Sequence, residues 1–407
     1  MHILLIHQAV ALLDEPGGTR HHELARYLVE LGHRVTILTG QVSYLTGHST
    51  VGGGFIQRMT DDAGVDIVRC YCLRGWHRSF IHRMLSSLSF MISSFIAGLR
   101  VRNVDLVWGT SPPIFQGLTA TFLAGMKRVP FLFEVRDLWP YFAVELGVLR
   151  HPLLIRLSEW LERFLYSRAD SVVVNSPGFL NHVRSRGARD VKLVPNGVDT
   201  SMFDPNADGA DFRMLNDLDG KFIVLYAGAH GMANDLEVVL EAADRLRDLK
   251  EVELLFLGDG KEKPALMSKA EALRLSNVRF LPPIPKNEIS QVMAAADACI
   301  AILRPIEAFK TTYPNKVFDY MAAGRPVLLA IDGVIREMVE KAEAGIFVPP
   351  GNPEALAMAV RRLVNARDQG VRMGRAGRAC VEEFFDRKVL ATKMIHVFTE
   401  IINKEPS

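Results

Sequence analysis

The chain lacks the features that mark several classes of protein. Four cysteines, Cys70, Cys72, Cys299 and Cys380, are spread over 407 residues with no C-x-x-C pair. That pattern speaks against a disulfide-stapled scaffold and predicts reduced thiols in the core of a cytoplasmic protein. A formal net charge of +2 gives no ground for nucleic acid as a partner. The start, MHILLIHQ, has neither a basic leader nor a small-residue cleavage site. It reads as a buried strand rather than a secretion signal. H-E-x-x-H, cysteine–histidine clusters at ligand spacing, G-x-G-x-x-G and G-x-x-x-x-G-K-[ST] are all missing, so neither a metal nor a cofactor is expected. The one D-x-D, Asp217-Leu218-Asp219, precedes a strand at its amino end and reads as linker acid.

What is present is a repeated pattern. At 407 residues, 49% of them hydrophobic and 23% charged, the chain has material for two or three well-packed domains. Short apolar runs separated by helical stretches predict a parallel α/β sheet: 2–8, 34–40, 65–71, 105–111, 130–137, 171–176 and 191–197. A segment rich in Asp, Pro, Gly and Asn follows, DTSMFDPNADGADF (199–212). The pattern then restarts at 221–228, 252–260, 277–283, 298–303, 326–331 and 344–350. The expectation is two doubly wound parallel sheets, each with its own core.

The richest stretch is TTYPNKVFDYMAAGRPVLLA, Thr311–Ala330. It predicts a polar loop, a short helix opened near Pro314 and stopped at Gly324, and a strand after Pro326. Lys316 and Asp319, three apart, share a helix face near its start. In an open parallel sheet such a helix start faces the ligand crevice, where unpaired N–H groups and the dipole favour phosphate. A diphosphate joined to a hydroxyl-bearing ribose fits this pattern. A solvated lysine and a dipole-capping acid fit it equally.

In context this segment resembles the donor-binding helix of the family 4 glycosyltransferases, retaining enzymes with two Rossmann-like domains. Asp319 followed by MAAGRPV matches the family's second acid and A-M-A-x-G-x-P-V. PNGVDTSMF (195–203), FLGDG (256–260), GVIREMV (333–339) and EPGGTRHHELARYLVELGHRVTILT (15–39) match further family segments in order. VRDLWP (135–140) together with YPNKVFDYMAAG (313–324) resembles a subgroup that builds bacterial surface polysaccharides.

The resemblance implies two Rossmann-like domains facing a cleft: residues 1–205 for the acceptor, with the segment from about 384 to 407 packing back on them, and 206–383 for the nucleotide-sugar donor. It also implies Asp319 on the ribose, Lys316 on the diphosphate and the Gly17–Gly18 turn near donor phosphate and acceptor. Arg136 and Asp137 would stand beside the reacting sugar, where a structural ion pair is the alternative. Gly258 and Gly260 would let a base or phosphate approach, with Lys261 or Lys263 nearby to steer an anion. Glu337 matches the acid of G-x-x-E. Thr311, Asn315 and Val317, on the same loop and helix start as Lys316, complete the donor set. Two departures stand out. The family's first acid falls at Thr311, with Glu307 four residues too early. The usual Arg and Lys after the first carboxyl-terminal strand are replaced by YAGAHGMANDL (226–236), which offers His230.

Arg20, His21 and His22, at the start of the first helix, read as exposed-face or structural residues. Trp139–Phe142 forms an aromatic loop, either ordinary packing or part of an apolar acceptor pocket. Residues 76–102 carry an apolar stripe at helical spacing, interrupted by His82 and Arg83 and flanked by arginines that include Arg78. They predict either a core helix or an interfacial helix on an anionic membrane, and a poor membrane span. The expected activity is sugar transfer from a nucleotide diphosphate sugar, UDP-linked by resemblance, to a polyprenyl-diphosphate-linked sugar or growing surface glycan. A nucleotide-sugar 2-epimerase and a non-catalytic binding subunit remain open beside it.

Overall fold

A computed structural model describes residues 1–43, 47, 49, 54–74 and 80–404. The chain forms two compact units: Met1–Leu12, Gly17–Pro195 and Arg387–Ser407 in the first, Leu13–Pro16 and Asn196–Asp386 in the second. The division falls earlier than the expected boundary at 205/206. The reason is local bonding. Val198 N–H donates to Phe385 O at 3.0 Å, the Thr200 hydroxyl bonds Asp386, and Phe203 is buried in the second unit's core.

The first unit holds an eight-stranded sheet made of β1 (His2–Ile6), β2 (Arg34–Gly40), β3 (Ile56–Thr60), β4 (Asp66–Cys70), β5 (Leu106–Ser111), β6 (Phe131–Val135), β7 (Ser171–Val174) and β8 (Val191–Leu193). Its order is β3-β4-β2-β1-β5-β6-β7-β8. Every pairing is parallel except β3 with β4, so the expected parallel sheet carries one antiparallel edge strand. That strand, IQRMT, is polar and partly exposed, which is why no apolar run announced it.

The second unit holds six parallel strands: β9 (Phe222–Ala227), β10 (Val252–Leu257), β11 (Val278–Leu281), β12 (Ala298–Ile302), β13 (Val327–Ala330) and β14 (Gly345–Phe347). Their order is β11-β10-β9-β12-β13-β14. The direction of winding reverses between β9 and β12, so the loops leaving those strands open a crevice at the topological switch point.

The chain's end belongs to the first unit. The helix Arg387–Ile402 buries Leu390, Met394, Val397 and Phe398 in the core that also contains Ile3, Leu24 and Trp108. Phe398 meets the Trp108 ring at 5.6 Å, and Arg387 donates to the Glu23 carboxylate at 2.7 Å. Residues Phe80–Leu99 form one helix with Phe90 and Ala97 buried and Leu85, Ile92 and Leu99 exposed. It is a core helix on one side and apolar on the solvent side. Arg78 lies outside the described residues. Among those residues no helix is long and apolar enough to cross a membrane.

Removing a buried aromatic side chain costs about 3–5 kcal/mol. Phe398→Ala should therefore lower the first unit's stability by that order, read from urea unfolding. Phe384→Ala, at a position 51% exposed, should stay within about 0.5 kcal/mol of wild type.

Candidate active site

In the second unit the decisive element is the helix Asn315–Ala322. Pro314 opens it in an extended conformation without a side-chain cap, which leaves the Asn315 and Lys316 N–H groups without a partner among the described residues. Gly324, at φ +68°, ends it in the left-handed conformation a side chain would resist. Its apolar face is buried through Val317, Phe318, Tyr320 and Met321. The Tyr320 hydroxyl receives the Ala227 N–H at 3.0 Å and lies 3.2 Å from Ala227 O, tying the helix to the end of β9.

This tether brings Lys316 to the switch point. Its Nζ donates to the Tyr226 hydroxyl at 2.8 Å and to Asn234 Oδ1 at 3.2 Å, and lies 4.1 Å from the Tyr226 ring centroid. Among the described residues it has no carboxylate partner. Although the side chain keeps some solvent contact, desolvation of the ammonium lowers its pKa to about 7. Here, then, is a cation that the fold positions but does not neutralise.

The neighbouring loops are shaped for close approach. A Cβ on Gly258 would lie 2.0 Å from Gly228 O, and one on Gly260 would lie 2.4 Å from His230 O. Both residues have positive φ, so the two loops touch only because neither carries a side chain. His230 is fully buried between Phe256 and Phe280, and neither ring nitrogen has a partner among the described residues. Burial first, then Lys263 and Lys316, lowers its pKa to about 4, so the ring is neutral.

Asp319 shares the helix face with Lys316 and pairs with Lys286 at 2.6 Å. Tyr226, Asn234 and Lys286 are the residues that sequence reasoning missed. Tyr226 reads as one more strand residue, and Lys286 sits in a proline-rich loop without a motif.

Other expected contacts are corrected. The Val317 side chain lies wholly in the core and its N–H bonds Pro314 O, so it packs the helix rather than facing a donor. Thr311 spends its hydroxyl on Ala308 O at 2.6 Å, while Asn315 is exposed. Glu307 is 75% exposed and pairs with Lys310, so it does not stand in for the missing first acid. Lys263 donates to the carbonyls of Gly258 and Leu281, a structural role. Glu337 is exposed on its helix. Asp217 and Asp219 flank the buried Leu218 ahead of β9.

Gly17, Gly18, Arg136 and Asp137 belong to the first unit, at or beyond the carboxyl ends of β1 and β6. Arg136 donates to Pro112 O at 3.2 Å. Asp137 is exposed, and desolvation by the surrounding chain raises its carboxyl above the usual carboxylate range. Arg20, His21 and His22 are buried and paired, not exposed. Glu134 accepts from Arg20 at 3.0 Å, from the Trp108 indole at 3.1 Å and from His21 Nε2 at 2.7 Å, while His22 bonds Asp61. Burial alone would raise the Glu134 carboxyl; His21 and Arg20 outweigh it and hold it well below the usual range. The aromatic loop is largely packing: Tyr141 stacks on His182 and Phe142 meets Phe179 edge-on.

Two family models match the chain, "Glycosyl transferase 4-like domain" over residues 17–197 and "Glycosyl transferases group 1" over 221–366. The protein is a GT4-type glycosyltransferase. It is therefore an enzyme of the GT-B fold, related to transferases of polysaccharide biosynthesis. WcaI of Escherichia coli (strain K12), assigned to colanic acid biosynthesis as a glycosyl transferase, is 24% identical over 354 residues, 84% of this chain and 86% of that one. Sucrose-phosphate synthase from Thermosynechococcus elongatus superposes with a TM-score of 0.78 at 19% identity, covering 98% of each chain. Anabaena HepE, solved with UDP-glucose, gives 0.72 at 16% identity, covering 98% of this chain and all of that one.

The unpaired ammonium has a measurable signature. Its folded pKa, about 7, lies below its unfolded value of 10.5, so the unfolded chain holds the extra proton between them. The group's penalty is present in full below pH 7 and fades as pH rises to 10.5. Lys316→Met should accordingly raise the melting temperature of the ligand-free protein at about pH 7, with a smaller gain at about pH 9.5.

Proposed function

We propose that this glycosyltransferase takes its sugar from a nucleotide diphosphate sugar, UDP-linked, with retention of anomeric configuration. The carrying observation is Lys316, a cation without a carboxylate, at the start of a helix on the switch point of the second sheet. The diphosphate would supply the missing counter-charge. UDP and UDP-glucose in HepE, a structure of the same fold, support the choice of base.

Asp319, oriented by Lys286, would accept hydrogen bonds from the ribose hydroxyls. Gly258 and Gly260 would leave room for the base, with the neutral His230 imidazole beneath them. As the sugar–phosphate bond breaks, Lys316 and the unpaired N–H groups of its helix would stabilise charge growing on the departing diphosphate. The acceptor hydroxyl would lose its proton to an oxygen of that leaving group. In the first unit, Arg136 and Asp137 would attend the acceptor.

For the acceptor we propose a polyprenyl-diphosphate-linked sugar or a growing surface glycan, in line with the relative assigned to colanic acid biosynthesis. Such an acceptor calls for peripheral contact with the cytoplasmic face of an anionic membrane. The line of Leu85, Ile92 and Leu99 on one face of the helix Phe80–Leu99 suits that contact.

A charged hydrogen-bond partner contributes about 1.5–3 kcal/mol. Lys316→Ala and Asp319→Ala should each weaken UDP binding by roughly 10- to 150-fold in calorimetric titration, with the fold intact. Wild-type affinity in both variants would remove the donor assignment. In vesicle sedimentation, Ile92→Glu should reduce binding to anionic liposomes while leaving UDP affinity unchanged.

A further inference from the structure

The end of the first sheet opposite the carboxyl-end residues carries a second concentration of charge. A cavity of about 410 Å³ opens beside the first residues of β1, β2 and β4, and four arginines line it: Arg34, Arg58, Arg100 and Arg102. Asp66 is the one acid in the lining, and it is already spent. Arg34 donates to its Oδ2 through two nitrogens at 2.9 and 3.2 Å, and the Thr60 hydroxyl bonds its other oxygen. The guanidinium groups of Arg58, Arg100 and Arg102 make no hydrogen bond or ion pair among the described residues.

The wall is built rather than incidental. His2 lies on the cavity, with Nε2 at 2.9 Å from the Thr36 hydroxyl and Nδ1 at 3.0–3.2 Å from the carbonyl oxygens of Arg102 and Asn103. This pins the turn that presents Arg102, with Asn103 held at φ +54°. Burial, then Arg34, lowers the His2 pKa, so it adds no charge of its own.

Three guanidinium groups around one concavity repel one another unless an anion stands among them. Their planar forks match phosphate oxygens, and a volume of this size takes a small ligand. We propose that this cavity binds a phosphorylated ligand carrying at least two negative charges. The phosphate belongs either to a soluble molecule or to a lipid headgroup. Leu99, exposed beside Arg100 at the end of the apolar helix face, gives a lipid chain a place to lie.

Inorganic pyrophosphate, titrated calorimetrically into the full chain, tests the site. A Lys316→Ala background keeps the result independent of the donor assignment. Arg58→Gln/Arg100→Gln/Arg102→Gln should weaken binding by at least about tenfold, whereas lysine at the same three positions should give a smaller loss, keeping the charge but not the fork. If the triple glutamine variant melts abnormally, Arg58→Gln alone is read, with a smaller loss expected. Vesicles of phosphatidylcholine with and without phosphatidic acid separate the sources. Pelleting that needs phosphatidic acid and is lost in the glutamine variant identifies a lipid phosphate. Pyrophosphate binding without pelleting identifies a soluble one. Binding of neither probe, or titrations that superimpose for wild type and variant, would overturn the site.

Discussion

The tether between Tyr320 and the Ala227 peptide is the constraint on which the candidate active site depends. It fixes the start of one helix against the end of the neighbouring strand, at the place where the second sheet reverses its winding. Lys316 lies one turn before Tyr320, so the same tether decides where its ammonium goes. Tyr226 and Asn234 then hold that ammonium through neutral oxygens only. A carboxylate in their place would have stabilised the fold and cancelled the charge proposed to meet the diphosphate. The site keeps its electrostatic capacity at a cost to the ligand-free protein, as expected where function and stability compete.

The first unit handles buried charge in the opposite way. Glu134 is enclosed, yet Arg20, His21 and Trp108 all direct N–H groups at it, so its charge is fully matched. Removing one partner from such a group leaves a buried charge uncompensated, which makes the network a structural anchor. Arg20 also donates to the carbonyls of Val194 and Pro195, linking the first helix to the chain's exit from the unit. The contrast separates the two kinds of charge in this protein. Matched groups hold the sheets, whereas the Lys316 ammonium is left without a carboxylate among the described residues.

The departures from the family pattern gain a physical reading from this contrast. With Thr311 where the first acid usually stands, and its hydroxyl committed to Ala308, the second unit has no carboxylate there to contact a sugar. The cations usual after the first strand of that unit are replaced by a neutral, buried His230. Lys316 then supplies positive charge at the switch point without a carboxylate partner among the described residues. Lys286, in turn, orients the one acid of the motif, Asp319.

Much of this was legible in the sequence, because it depends on local rules. Apolar runs of strand length alternating with helical stretches determined two α/β units, and thirteen of the strands follow those runs. Pro314 and Gly324 bounded the motif helix, and spacing alone set Lys316 and Asp319 on one face. The polar edge strand Ile56–Thr60 escaped notice because half its surface faces water, leaving no apolar signal. Val317 looked like a donor contact because spacing shows which residues share a helix start, not which of them face the core. Lys286 and Asn234 lie far from Asp319 and Lys316 in sequence, and the Arg34–Arg102 cavity gathers residues from four strands and the turn after a helix. Sequence by itself determined the elements, their order and the identity of the motif, since these follow from periodicity and local conformational preference. Tertiary structure alone decided which charges are neutralised, because that depends on the distances between side chains that only the packed chain brings together.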